Sequence, residues 1–353
     1  MEDRDEPGHN GYRRTGVSRP ETVERALTVG LNPYGLTYSL GLQGTGTSRA
    51  NPHPTGLDGL LAIASEIGAR ALEIHGPWLT ELGTAGRSEL RIRLGELRLL
   101  PIVSASLVEN VDDILTDAVG LGARTIRLGL SPVLCGDRNA FGAARWAQQI
   151  AQIRASLAQI APGAAAHGIT VAVENHQDFG SAELVDFCEE AGDNIGITFD
   201  TGNAFPVAES PLSFARTAAA RIRHVHLKDY RVQFTDEGYR LVRCAIGDGA
   251  VPFREIFDFL LADGRSLTAS LEPGAPEARH VRLFTPDWWR GYAPKDARTL
   301  AETLGAARRN LLPEDADYRT PWERESPADE LIAYEQDMMR KSAANMRALG
   351  LME

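Results

Sequence analysis

Four stretches decide the reading of this chain: TVAVENH at residues 170–176, IGITFDTGN at 195–203, IRHVHLKD at 222–229 and LTASLEPG at 267–274. Each opens on a short run rich in β-branched or apolar residues and ends on an ionisable side chain: Glu174, Asp200, His226 and Glu272. Successive ends are 26, 26 and 46 residues apart. That is about one strand-plus-helix unit each time, with a longer loop in the last. Four more apolar runs precede them, Tyr34–Leu40, Ala71–His75, Leu100–Leu107 and Thr125–Leu130. Runs with so few charges read as strands buried on both faces. Between them lie amphipathic stretches at 57–67, 110–121, 141–166, 181–191 and 253–261. Several end on a glycine, which takes the left-handed stop conformation cheaply. Pro162 is expected to kink or break the longest of them. Eight alternations imply a parallel sheet closed into a (β/α)8 TIM barrel. An open doubly wound sheet is the competing topology, but no G-x-G-x-x-G follows the first strand.

Composition fits a globular protein and excludes several classes. The chain has 353 residues, 43% of them hydrophobic and 24% charged. The net charge of −11 argues against a general nucleic-acid binder, which needs clustered Lys and Arg. Cys135, Cys188 and Cys244 are few, odd in number and far apart, so they form no disulfide framework or zinc-knuckle spacing. They suit a reducing cytoplasm. No run of about 18 apolar residues is present, so no membrane span is expected. A barrel of this kind needs about 250 residues. The surplus is assigned to an N-terminal arm at 1–29 and a C-terminal helical extension at 311–353, flanking a catalytic barrel at 30–310. The extension carries Tyr318, Trp322 and Tyr334 beside an amphipathic helix, and is expected to wrap the barrel or form an interface.

In such barrels the chemistry sits at the C-terminal ends of the strands. A charge directly against buried β-branched residues is costly unless it is paired. Three carboxylates facing one mouth would repel one another, and a divalent cation resolves that repulsion. Three oxygen donors and one imidazole suit Mn²⁺, Mg²⁺ or Co²⁺ better than a Cys-type structural zinc site. Other residues at the mouth are candidates for substrate contact. His176 is read as a general base or a hydrogen-bond donor. Lys228 either binds a substrate oxygen or pairs with Asp229. Arg127, inside a buried strand, wants an anionic partner, either a metal-bound glutamate or a sugar hydroxyl. Asn203, His75 and Tyr38, the last placed in the first strand, complete the substrate set. Strand alternation is read as turning His224 away from His226, into a second layer. The Trp288–Trp289 pair is read as packing before stacking on a ligand.

The order VEN, FDTGN, HVHLKD, IGDG and LEPG resembles the xylose isomerase-like superfamily of sugar isomerases and epimerases, over roughly residues 31–274. The resemblance implies a xylose isomerase-like TIM barrel. It implies one divalent metal ion, Mn²⁺ foremost, held by Glu174, Asp200, His226 and Glu272, with His226 rather than His224 as the imidazole ligand. It also implies that Glu174 and Glu272 move a proton next to a sugar carbonyl while the metal stabilises the resulting enediolate. The same superfamily contains the large subunits of C-glycoside deglycosidases, whose elimination from a 3-oxo-glycoside begins with the same proton removal at C2. Inosose-type dehydratases share that logic. The apurinic-site endonucleases of the superfamily fit less well, because Asn203 stands where a further zinc would need His. We therefore expect a cytoplasmic enzyme acting on a small sugar or glycoside, with no nucleic-acid or membrane partner. A homo-oligomer is expected, joined by a small second subunit in the deglycosidase reading.

Overall fold

The computed structural model describes residues 27–107, 109–274 and 276–353. Eight parallel strands close a barrel: β1 (Leu27–Leu31), β2 (Ala71–His75), β3 (Leu100–Ser106), β4 (Thr125–Gly129), β5 (Thr170–Glu174), β6 (Ile195–Asp200), β7 (Ile222–Leu227) and β10 (Leu267–Leu271). Closure is between β1 and β10, with Leu27 level with Leu267 and Leu31 with Leu271. The helices are α1 (Gly56–Glu66), α2 (Gly76–Glu96), α3 (Val111–Leu121), α4 (Ala143–Ala166), α5 (Ser181–Ala191), α6 (Pro211–Ala218), α7 (Phe253–Leu260), α8 (Ala297–Ala307) and α9 (Ala328–Ala348). A separate antiparallel sheet joins β8 (Tyr230–Thr235), β9 (Gly238–Arg243) and β11 (Arg279–Val281).

Local chemistry explains the elements. α4 buries Trp146, Ile153, Leu157, Ile160 and Ala164, a stripe at helical spacing, and it runs through Pro162 without ending there. α3 begins where Asn110 Oδ1 accepts the backbone N–H of Asp112 and stops at Gly122, whose φ of 76° is left-handed. No helix among the described residues is long and apolar enough to cross a membrane.

The first strand is not where the apolar pattern put it. Tyr34–Leu40 forms a 3-10 turn at Pro33–Gly35 and further turns, and the strand is Leu27–Leu31. The cause is Asn32-Pro33: Pro33 fixes φ, and Asn32 Oδ1 caps the N–H of Tyr34 at 2.7 Å. The true strand is a weak signal because it carries Gly30. A side chain there would sit 2.4 Å from the Ala71 carbonyl oxygen of β2. Leu27–Val29 of the expected arm therefore belong to the barrel, and residues 1–26 lie outside the described residues. Also unforeseen were α2, α6 and the β8–β9 hairpin inside the long loop before β10.

α9 returns to the start of the chain. Met339, Ala343 and Met346 enter the main core. Glu335, 1% exposed, accepts the N–H groups of Tyr38 and Ser39 at 3.0 and 2.8 Å, and the hydroxyls of Ser39 and Thr37 at 2.8 and 3.4 Å. The loop after β1 is thus tied down by one carboxylate. Glu335→Ala is expected to cost about 2–4 kcal/mol, since a buried donor left unsatisfied costs ~1–3 kcal/mol and water restores part of it. Urea unfolding with an unchanged midpoint would remove Glu335 from this role.

Candidate active site and metal centre

The four strand-end residues converge. Glu174 ends β5, Asp200 ends β6, His226 lies one residue before the end of β7, and Glu272 follows β10. The register sets Asp200 level with His226, and His226 level with Ser270. One ligand atom from each of Glu174, Asp200, His226 and Glu272 falls within 4.8 Å of the others. None of the four is more than 3% exposed. His226 Nδ1 is 3.0 Å from Glu174 Oε1 and 2.8 Å from Glu272 Oε2.

Protein cations hold this cluster together. Arg127 Nη2 lies 2.5 Å from Glu174 Oε2, the carboxylate partner expected for a buried arginine. The Lys228 ammonium contacts Asp200 Oδ2 and lies 2.7 Å from Glu272 Oε1. It does not pair with Asp229. That carboxylate instead accepts the N–H groups of Tyr230, Gly247, Gly249 and Val251, and so shapes the glycine-rich loop.

The ionisation of the cluster follows from crowding in a dry interior. Burial works against the charged form of Glu174, but Arg127 and then His226 outweigh it and hold the carboxyl below the usual range. Burial raises Asp200; Lys228 opposes the rise, and Glu272 and Glu174 add to it. Burial would lower His226, yet Glu73 and Glu272 push it well up. Three carboxylates here do not share the space without cations between them.

The donor set fits a hard divalent ion. Oε2 of Glu174 and of Glu272 are buried and receive no hydrogen bond of acceptable direction, close as Arg127 and His226 are. An ion bound among the four would engage oxygens that the protein leaves unsatisfied.

Above the cluster is a cavity of about 270 Å³ whose wall includes Arg127, His176, Lys228 and Glu272. The His176 ring faces it without a side-chain hydrogen bond among the described residues. Burial lowers its pKa to about 4, so the ring is neutral at pH 7. Three expected substrate contacts are placed elsewhere. Tyr38 is buried 5.9 Å from Trp322 beside Leu331, in a small core of its own, because the chain turns at Pro33 and carries it off the barrel axis. Tyr34 lines the cavity in its place. Asn203 donates to Asp200 Oδ2 at 2.7 Å and so steadies a carboxylate of the cluster. His75, half-buried at the end of β2, stands behind the wall with Nδ1 3.1 Å from the Tyr34 hydroxyl. The Trp pair packs: Trp288 stacks on Tyr292 at 4.7 Å and donates to the Cys135 carbonyl.

His224 also departs from expectation. It faces the same interior as His226, with ring centroids 5.3 Å apart. Residues two apart on a strand share a face, so alternation places the two rings together, His224 one layer deeper. Sequence reasoning missed Tyr34, Ser106, Ser131, Gln177, Tyr230, Glu277 and Arg279 on the cavity wall. Most of these come from loops and the small sheet, which carry no strand-end signature; Ser106 ends β3, but a hydroxyl there does not break the pattern as a charge does. It also missed Glu73, although a lone charge inside the apolar run ALEIH is the same signal that picked out Glu174.

The profile of the xylose isomerase-like TIM barrel family matches residues 61–303. YihM of Escherichia coli K12, an uncharacterised protein, is 28% identical over 220 residues, covering 58% of this chain and 62% of its own length. An inosose dehydratase of Klebsiella pneumoniae is 29% identical over 150 residues, covering 37% of this chain and 49% of its own. The chain therefore spans about half and about three fifths, respectively, of the length of the dehydratase and of YihM. Among solved structures, D-psicose 3-epimerase from Clostridium cellulolyticum H10, determined with D-tagatose, superposes with a TM-score of 0.54 at 17% identity, covering 80% of this chain and 98% of that one. D-allulose 3-epimerase from a Methylomonas species gives 0.53 at 14%, covering 92% and 98%. Eight strands in a closed barrel, four ligand-type side chains at its mouth and a profile match over more than half the chain agree: this protein belongs to the xylose isomerase-like TIM barrel family.

Proposed function

We propose that this protein is a divalent-metal-dependent sugar isomerase or epimerase, with Mn²⁺ held by Glu174, Asp200, His226 and Glu272. The observation that carries the reading is the convergence of these four buried side chains beneath a cavity sized for a small ligand. A divalent ion held by these residues would supply positive charge to a substrate carbonyl and so make the neighbouring C–H more acidic.

The chain's own groups do the rest. One of Glu174 and Glu272 takes the proton from the carbon next to the carbonyl, and the electron pair moves onto the carbonyl oxygen. The other glutamate, protonated from solvent through the cavity, gives that proton to the same carbon from the opposite side, and the first releases the proton it took to solvent, giving the epimer. Arg127 holds Glu174 in place, and Lys228 holds Glu272. Tyr34, Ser106 and Ser131 offer hydroxyls to the sugar from the cavity wall.

One observation favours a second reading, elimination. His176 is a neutral imidazole facing the cavity and free of side-chain hydrogen bonds among the described residues, so it can take a proton without being a metal ligand. On a 3-oxo-glycoside it would remove the C2 proton. The group at C1 then departs with its bonding pair and picks up a proton, which is C-glycoside or O-glycoside cleavage. On an inosose the departing group is water, the reaction named for the Klebsiella relative.

One experiment separates the readings: the Mn²⁺-loaded protein is incubated in D₂O with free ketoses, inososes and 3-oxo-glucosides, and the products are weighed by mass spectrometry. Epimerisation keeps the mass apart from one deuterium. Dehydration loses a water, and cleavage releases an aglycone. No deuterium uptake and no product from any of the three would overturn proton abstraction altogether.

A further inference from the structure

Glu73, in β2, is an interior carboxylate that the chemistry above does not use. It is fully buried. Its Oε1 lies 2.9 Å from Nε2 of both His224 and His226, and its Oε2 accepts the Asn32 side-chain amide at 2.9 Å. The opposite nitrogen of His226, Nδ1, faces the carboxylate cluster. An imidazole binds a cation only through a nitrogen that carries no proton, so with a cation bound the ring is neutral and has one proton to place. The cluster carboxylates attract that proton to Nδ1, where it would block binding.

We propose that Glu73 is a positioning residue for the cation site: it holds the proton of His226 on Nε2, leaving the Nδ1 lone pair turned to Glu174, Asp200 and Glu272. This rests on the metal reading above. Among the described residues Glu73 is the carboxylate at hydrogen-bond distance from that Nε2. The Asn32 amide, 3.4 Å from Nε2, is a donor already committed to Glu73. The protons around Glu73 are mutually consistent. Both Nε2–H groups and the Asn32 amide donate to it, and the Thr268 hydroxyl, 2.7 Å from His224 Nδ1, donates there. A second cation held by Glu73, His224 and His226 is the rival arrangement of the same atoms. It requires both Nε2 protons to leave.

The test uses the full chain labelled with ¹⁵N-histidine and loaded with diamagnetic Zn²⁺. Long-range ¹H–¹⁵N correlation is expected to show His226 protonated at Nε2 and metal-shifted at Nδ1, with one equivalent of zinc bound. A protonated Nδ1, or two equivalents with both Nε2 atoms shifted, overturns the proposal. In parallel, Glu73→Gln is expected to weaken Mn²⁺ binding about 10–100-fold, the usual loss when a histidine ligand loses its outer partner. Glu73→Asp, which keeps the charge, should recover part of it. A folded Glu73→Gln protein with unchanged affinity overturns the proposal alone. Wild-type protein that binds neither Mn²⁺ nor Zn²⁺ overturns the metal reading, and this inference with it. If Glu73→Gln does not fold, the wild-type spectrum decides.

Discussion

Glu272→Gln, loaded with Mn²⁺, is expected to lose about 10²–10⁴-fold in turnover, the range set by removing a group that carries a proton in the transition state. The amide keeps the shape and one oxygen for the cation, but it cannot accept the substrate proton. Lys228 keeps Asp200 as a partner, so no buried charge is stranded and the melting temperature should change little. Glu174→Gln should lose as much turnover and also lower stability. It leaves Arg127, 6% exposed, beside an amide, and breaking one side of a buried ion pair costs ~3–5 kcal/mol. Turnover and thermal melts on both variants check this. A variant keeping a tenth or more of the wild-type kcat would remove that glutamate as the proton carrier.

Chelation should have an effect as large on activity and a small one on structure. EDTA followed by dialysis is expected to take turnover below detection, and Mn²⁺ added back should restore it. The fold should survive, because Lys228 and protonated His226 neutralise much of the carboxylate charge without an ion. Reloading should raise stability by RT ln(1 + [M]/Kd), about 2.7 kcal/mol at a hundredfold excess over Kd. Full activity in protein shown by elemental analysis to be metal-free would end the metal reading.

Much of the barrel was legible because its strands are buried on both faces. Ala71–His75, Thr170–Glu174, Ile195–Asp200 and Ile222–Leu227 were delimited to the residue, since apolar residues recur through each run and polar ones such as Glu73, Thr198 and His224 lie between them without ending it. Strand one escaped because Gly30 thins its pattern, while the apolar turn after Pro33 imitates a strand. α6 escaped because its eight residues, PLSFARTA, open on Pro211 and hold only Leu212 and Phe214 as large apolar side chains, whereas α7, equally short, shows a stripe of Phe253, Ile256, Phe257 and Leu260. In the site, residues whose ionisable group breaks an apolar run were legible. The cavity wall was not, because Tyr34, Glu277 and Arg279 reach it through tertiary placement of loops and of β11. His224 shows a plain error in applying period two.

The carboxylate that ties down the first loop also imposes an order on making the protein. Ser39 leaves the ribosome 296 residues before its partner Glu335. At about 5–20 residues per second, that interval is roughly 15–60 s. Throughout it, the loop bearing Tyr34 and Thr37 waits with its donors unmet. A nascent chain released between Glu272 and Glu335 therefore has its four metal ligands but an unfinished substrate wall. Function should arrive in a single step late in synthesis, and an internal stop should yield a silent protein rather than a slow one.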